Sequence, residues 1–385
     1  MTTRLIVGDA LAVLRTLPDA SVHMVCTSPP YWGLRDYGVE GQIGREATPG
    51  EWVGALIRVF REARRVLRKD GTLWLNLGDR YAGDGGDGSE CFADVRSWRV
   101  GGYRSRVPRG AKRKDLLGLP WALAFALRDD GWWLRSDCIW HKTNPLQDSA
   151  LDRPSRGHEY VFLLAKAERY YYDREAVRQP LASRTSTTYG SIRKVSGTEK
   201  ERQIAAHRVS RTMPVRMPRL ADDGKPAGGN LKTVWSIGTS GFHGAHFATF
   251  PEELARRCVL AGSSERGVCR TCGSPFRRVM ERAGSVSFGG GMRKIAAVRP
   301  RQGASGALAT GLSNVYRMAG WRAGCGCAAG TSAAVVLDPF AGAGTVGLVA
   351  ERLGRDFIGI ELNPDYVAMA RRRIEDDAPL LAEEG

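Results

Sequence analysis

Near its carboxyl end the chain carries Val335-Val336-Leu337-Asp338-Pro339-Phe340-Ala341-Gly342-Ala343-Gly344-Thr345. A short apolar run, a glycine-rich turn and the apolar stretch 346–353 predict strand, turn and helix in that order. A second strand over 357–360 then ends at Glu361. A strand–turn–helix–strand unit of this kind belongs to an α/β chain with a parallel sheet. Glycines let a ligand approach the backbone with no Cβ in the way. An acid after the second strand can hold two ribose hydroxyls. No P-loop lysine follows the glycines, which argues for a nucleoside ligand other than a triphosphate.

Far upstream, the apolar run Val22-His23-Met24-Val25-Cys26 predicts a short buried strand, and Thr27-Ser28-Pro29-Pro30-Tyr31-Trp32 follows it. Two prolines end a strand, because neither donates to a sheet ladder, and they stiffen the turn. Ser28 and the Pro29 carbonyl are thereby held at a strand's carboxyl end, where open α/β sheets bind ligands. With the large rings of Tyr31 and Trp32 beside them, they suit a flat heterocycle gripped by its exocyclic amine. Alone, the tripeptide reads better as a surface turn. Its company with the glycine unit favours the functional reading.

Together, Ser28-Pro29-Pro30-Tyr31 and Phe340-Ala341-Gly342-Ala343-Gly344 resemble the two diagnostic motifs of the DNA amino-methyltransferases. These enzymes methylate cytosine N4 or adenine N6 with S-adenosylmethionine. The catalytic motif precedes the cofactor motif, the order of the family's beta group. The resemblance implies a Rossmann-like class I methyltransferase sheet in circularly permuted order. It makes Ser28, Pro29, Pro30 and Tyr31 the catalytic residues. The expected cofactor residues are Asp9, Thr249, Phe250, Asp338, Phe340, Gly342, Gly344, Thr345 and Glu361. Asp9 would accept from the cofactor's adenine amine, although an Asp after a strand is also a common helix N-cap. The stretch Asp152–Glu159 and its neighbours resemble the motifs that shape the target-base pocket, with Asn144, Pro145, Arg153 and His158 as candidates.

The bulk properties agree with a polyanionic partner, here duplex DNA: the 385 residues carry a formal net charge of +16. A hydrophobic fraction of 43% suffices for a sizeable core. No run of 18 apolar residues occurs, so no membrane span is expected. The first residues show no signal-peptide pattern, and eight cysteines in a chain this long do not suggest a secreted scaffold. A cytoplasmic location is the expectation. The resemblance leaves room for a restriction endonuclease counterpart, and for either a monomer or a homodimer.

Along the chain, residues 1–172 read as the catalytic half, interrupted by a glycine- and arginine-rich loop at 82–114. Strands are predicted at 5–7, 22–26, 72–77, 132–140 and 160–164, and helices at 11–17, 51–68 and 119–127. Residues 173–233 are polar, basic and weakly periodic, and occupy the place of the family's target-recognition region. Arg and Lys there could read guanine edges, and Asn and Gln adenine. Residues 234–262 and 333–385 form the cofactor half, with a helix opened by Pro251.

Residues 263–332 form a second insert, holding Cys269-x-x-Cys272-Gly273 and Cys325-x-Cys327. Four thiolates would close a tetrahedral structural Zn²⁺ site in a small zinc-ribbon-like insert. Free or redox thiols are the alternative. The Gly-, Ser- and Arg-rich stretch between the pairs reads as a flexible loop.

Chemically, an exocyclic amine is a poor nucleophile because its lone pair is delocalised into the ring. Hydrogen bonds to Ser28 Oγ and the Pro29 carbonyl would free that pair for direct in-line methyl transfer after base flipping. Serine is no general base at neutral pH, so the product's proton is expected to leave to water. A hydroxyl can accept from either amine; in the family that the motif resembles, Ser at the first position leans towards cytosine N4, with adenine N6 the alternative. More distant readings are an RNA or protein amide methyltransferase, and a non-enzymatic zinc-ribbon DNA-binding protein.

Overall fold

The computed structural model describes residues 2–34, 38–83, 107–108, 110–145, 150–179, 228–239, 250–288, 295–296 and 311–377. They fall into a larger unit, 1–176 with 232–277 and 323–385, and a smaller one, 177–231 with 278–322.

The larger unit is built on one eight-stranded sheet. From the amino end come β1 (Thr3–Val7), α1 (Ala10–Thr16), β2 (Val22–Thr27), α2 (Pro49–Val66) and β3 (Leu67–Leu77). Then follow α3 (Leu119–Asp129), β4 (Trp133–Lys142), β5 (His158–Ala165), β6 (Val234–Ile237) and α4 (Glu252–Gly262). The cysteine-rich segment opens with β7 (Val268–Cys269) and closes with β11 (Thr331–Ser332), which pair antiparallel. After it come β12 (Val335–Asp338), α5 (Thr345–Arg352), β13 (Asp356–Glu361) and α6 (Pro364–Asp377). The strand order is β1-β13-β12-β2-β3-β5-β4-β6. The pairs β1/β13, β13/β12, β12/β2 and β2/β3 are parallel, while β5 runs antiparallel to both β3 and β4.

Local chemistry explains the elements. Within β2 only His23 is less than fully buried, as expected of a parallel strand covered on both faces. Helix α2 opens with Pro49 and a reciprocal capping box between Thr48 and Glu51, worth roughly 1 kcal/mol. It buries Trp52, Leu56, Val59, Phe60 and Ala63 at helical spacing, and each large side chain contributes about 1.5–3 kcal/mol. Gly262 ends α4 against β3: a Cβ there would lie 2.9 Å from Trp74 Nε1 and 3.0 Å from Thr72 Oγ1.

The connections place the site. Strand β12 leads through α5 to β13 on one side, and β2 leads through α2 to β3 on the other. The carboxyl ends of β12 and β2 therefore flank a topological switch point, where such sheets open a crevice. Val336 and Leu337 pair with Met24 and Val25, so Asp338 falls beside the last residues of β2, where Thr27 bonds it and Ser28 follows directly. Strand β1 pairs along its whole length with β13, which sets the first and last strands of the permuted sheet next to each other.

The cysteine-rich segment is divided between the units. Its two ends, with all four cysteines, lie in the larger unit; 278–322 lies in the smaller. Between the cysteine pairs the structure has strands where the sequence suggested a loop. These are β8 (Arg277–Phe288), β9 (Ile295–Ala296) and β10 (Gly311–Arg322), in the order β10-β8-β9. Backbone pairing forms this ladder without an apolar alternation in the sequence to announce it. In the smaller unit Arg278 lies 4.5 Å over the Trp321 ring, and Gln179 bridges Gly229. Most of the expected target-recognition region and of the basic loop at 82–114 lies outside the described residues. No helix among the described residues is long and apolar enough to cross a membrane.

Candidate active site and metal centre

One cavity of about 700 Å³ opens at the switch point. Its wall contains Ser28, Pro29, Pro30 and Tyr31 from the corner after β2, and Asp338, Phe340, Gly342 and Thr345 from the turn after β12. Asp9, Phe250 and Glu361 complete the set that the sequence nominated. Gly344 is not in the wall, and Thr249 lies outside the described residues. Of the base-pocket candidates, Asn144 and Pro145 line the cavity. Arg153 instead sits 3.7 Å over the Tyr81 ring, and His158 packs edge-on against Tyr160.

The glycine turn is held by its own carboxylates. Asp338 Oδ1 accepts from Thr27 Oγ1 at 2.6 Å and from the Phe340 amide at 3.0 Å. Burial pushes its carboxyl up to about 7, against the pull of those two donors, and the Glu361 charge adds to the rise. Glu361 accepts from the amides of Gly342 and Asn363, each at 2.9 Å; burial raises its pKa too. Gly342 has φ +50°, and a Cβ there would meet nothing within 4 Å, so the turn presents bare backbone to open space. Gly344, at φ +76°, serves packing: a Cβ would fall 2.8 Å from that of Ala370. Asp9 caps α1, accepting from the Ala12 amide at 2.8 Å, while also lining the cavity.

The proline corner is held from elsewhere in the chain. Trp52 Nε1 on α2 donates to the Pro30 carbonyl at 2.9 Å. This commits that carbonyl to the fold. The Tyr31 hydroxyl donates to Glu159 Oε2 at 2.8 Å, and Ser28 Oγ lies 3.5 Å from the Tyr31 oxygen. Glu159 also accepts from Lys142 Nζ at 2.6 Å and from Asn76 Nδ2 at 3.2 Å. Burial and the neighbouring Glu159 charge raise the Tyr31 pKa well above the ordinary phenol value. Asn76, Lys142 and Glu159 all line the cavity, and sequence reasoning missed all three. Each sits near the end of a strand that the sequence did locate. Lys142 and Glu159 fall in or beside stretches that resemble the family's base-pocket motifs, while Asn76 offered only its place at a strand end.

The four cysteines form a second centre. The sulfurs of Cys269, Cys272, Cys325 and Cys327 lie within 4.8 Å of one another. Gly273, at φ +66°, turns the first knuckle and donates its amide to the Cys269 carbonyl at 2.7 Å. The Cys272 amide holds the Cys269 thiol down to about 7, whereas hydrogen bonding with Cys272 and Cys325 pushes Cys327 up to about 12. Four thiols this close cannot all ionise without a cation among them. His23 ties the knuckle to the sheet. Its Nδ1 accepts from the Val335 amide at 2.9 Å, so Nε2 carries the hydrogen that faces the Gly273 carbonyl at 3.2 Å. Burial, with Arg68 nearby, lowers its pKa to about 4 and keeps the ring neutral.

A class I methyltransferase sheet with these two motifs at its switch point defines an amino-methylating enzyme. The profile of the DNA methylase family that acts on N6 and N4 amines matches residues 22–270 and 331–372, and the chain belongs to that family. Among its relatives is the type II methyltransferase M.Cfr9I of Citrobacter freundii, 36% identical over 370 residues, with 96% of this chain and 87% of the relative covered. M.SmaI of Serratia marcescens is 36% identical over 371 residues, covering 96% and 90%. The fold matches that of the cytosine-N4-specific PvuII DNA methyltransferase with a TM-score of 0.51 and 16% identity, over 100% of this chain and 95% of that one.

Proposed function

We propose that this DNA methyltransferase transfers a methyl group from S-adenosylmethionine to the N4 amine of cytosine in duplex DNA. The observation that carries the reading is the shared cavity: the proline corner and the glycine turn, more than 300 residues apart in sequence, form one wall. The turn suits a nucleoside. Its bare backbone at Gly342 leaves room for one, the cavity-lining Glu361 has acceptor capacity left for ribose hydroxyls, and the buried Asp338 gains by facing a cationic group. Bound there, S-adenosylmethionine supplies a methyl group made electrophilic by its sulfonium. Ser28 Oγ and the Pro29 carbonyl accept from the target amine and pull its lone pair out of the ring. Trp52 keeps the Pro30 carbonyl out of this task. Ser28 favours cytosine, as the resemblance of the motif implies. As a type II enzyme, the protein would protect its site from a restriction endonuclease of the same specificity.

The test is digestion of methylated DNA to nucleosides. N4-methylcytosine is the expected product; N6-methyladenine would transfer the reading to adenine, and no methylated base would overturn it. S-adenosylmethionine binding that survives Asp338→Ala would remove the turn from the account.

We further propose a structural Zn²⁺ held by Cys269, Cys272, Cys325 and Cys327. The four sulfurs already converge, as a tetrahedral tetrathiolate site requires. Metal analysis of the pure protein should find one zinc, lost in Cys269→Ser/Cys272→Ser; intact protein without zinc contradicts the assignment.

A further inference from the structure

The chain of groups behind Ser28 has a direction, and a carboxylate sets it. We infer that Glu159 orients a hydrogen-bond relay, Ser28 to Tyr31 to Glu159, that makes Ser28 an acceptor for the target amine and carries the product's proton away. The inference rests on the proposed amino-methyl transfer and adds the fate of the proton. An ionised carboxylate only accepts hydrogen bonds. The Tyr31 hydroxyl has a single hydrogen, and Glu159 Oε2 at 2.8 Å is a nearer and stronger acceptor for it than the neutral Asn76 Oδ1 at 3.4 Å. With its hydrogen so committed, the Tyr31 oxygen is left as an acceptor. The Ser28 hydroxyl, 3.5 Å away, points its hydrogen there. The Ser28 lone pairs then face the cavity. Reversed, the serine would donate to the amine and occupy the lone pair needed for attack.

Lys142 and Asn76 fix the carboxylate. The first donates to Oε1 at 2.6 Å, and the second to Oε2 at 3.2 Å. Asn76 is in turn anchored by donating to the Tyr160 carbonyl at 3.1 Å. Gly78 leaves room for the phenol ring beside the end of β3, since a Cβ there would lie 2.9 Å from Tyr31 Cε2.

The step balances. The amine nitrogen forms a bond to the methyl carbon as the carbon–sulfur bond breaks, and that electron pair stays on sulfur. The nitrogen is left cationic and must lose one proton. It passes to Ser28 Oγ as the serine hydrogen moves to the Tyr31 oxygen and the tyrosine hydrogen moves to Glu159. Glu159 ends as a carboxylic acid and returns the proton to solvent. Serine is never required to be a base in its own right. Tyr31 and Glu159 act through Ser28 and are positioning residues.

Three variants test this: Tyr31→Phe, Glu159→Gln and the double. Each single change should slow single-turnover methyl transfer by about 100-fold, the lower range for general acid–base assistance. S-adenosylmethionine affinity should stay within about twofold. Because the groups act as one unit, the double variant should be no more than about threefold slower than the slower single. A readout free of turnover comes from protein labelled with ¹³C at tyrosine Cζ. The resonance missing in Tyr31→Phe should move in Glu159→Gln. An unmoved resonance, losses that multiply, or a single variant within threefold of the parent rate would each overturn the relay. Should Glu159→Gln fail to fold, Tyr31→Phe alone decides by its rate. The rates are ratios to the parent on whichever base it methylates, so a wrong target base leaves them readable. A parent enzyme that methylates nothing, with the resonance still moving, would instead count against the proposed transfer.

Discussion

The two motifs that meet in the cavity are held in opposite ways. The glycine turn is tied mainly by backbone amides to its own carboxylates, Phe340 to Asp338, two residues apart, and Gly342 to Glu361, nineteen apart, with Thr27 Oγ1 on Asp338 as its long-range link. The proline corner is tied by partners 22, 45 and 128 residues away: Trp52, Asn76 and Glu159. Backbone amides on carboxylates shape the first, and side chains from three other elements shape the second. The glycine turn is shaped largely within one strand–turn–helix–strand unit, joined to the proline corner's strand through Thr27 and Asp338. The target half exists only once the sheet has assembled.

The contrast can be attacked from either side. The largest effect is expected at Gly344→Ala, which combines a left-handed φ with a Cβ 2.8 Å from that of Ala370. It should cost about 3 kcal/mol of stability in denaturant titration and weaken S-adenosylmethionine binding through the displaced turn. A cost below about 0.5 kcal/mol would show that the turn is not held as described.

Next comes the pH response of Asp338. Its folded pKa, about 7, is raised above the ordinary value. The stability it contributes is therefore complete below pH 4 and is lost as pH rises through 7. A cationic ligand favours the charged form, so binding should release a proton. Affinity for S-adenosylmethionine should fall by up to about tenfold from pH 7 to pH 6. Asp338→Asn should bind more weakly and lose that pH dependence. Calorimetry checks both, and an equal slope in the variant contradicts the assignment. The smallest effect belongs to Trp52→Phe, which leaves the Pro30 carbonyl without its donor. Stability should drop by about 1 kcal/mol, with methyl transfer slowed and cofactor affinity unchanged.

The same contrast explains what could be read from sequence. Asp338, Gly342 and Glu361 sit at fixed short spacings on a strand–turn–helix–strand unit, so their convergence follows from local geometry. Ser28 was legible because two prolines mark the end of its strand. Asn76, Lys142 and Glu159 were not singled out: the motif resemblance touched the stretches around Lys142 and Glu159 but gave no sign that the three side chains meet. Their meeting depends on β5 running antiparallel between β3 and β4, a pairing that periodicity does not reveal. The four cysteines fall between these cases. Their spacing suggested one shared site, and the sulfurs do converge, while the strands β8 and β10 between the pairs gave no apolar alternation to find. His23 looked like one more residue of a buried strand, yet it joins that strand to both Val335 and the first cysteine knuckle.

On the proposed function, binding and transfer are divided between the two motifs that share one cavity. Ser28→Ala measures that division most directly, with S-adenosylmethionine affinity by calorimetry set beside the single-turnover transfer rate on duplex DNA. The account predicts parental affinity and transfer slowed by about 1,000-fold, comparable to removing a group that acts chiefly in the transition state. Affinity lost in step with the rate, or a rate left intact, would contradict it.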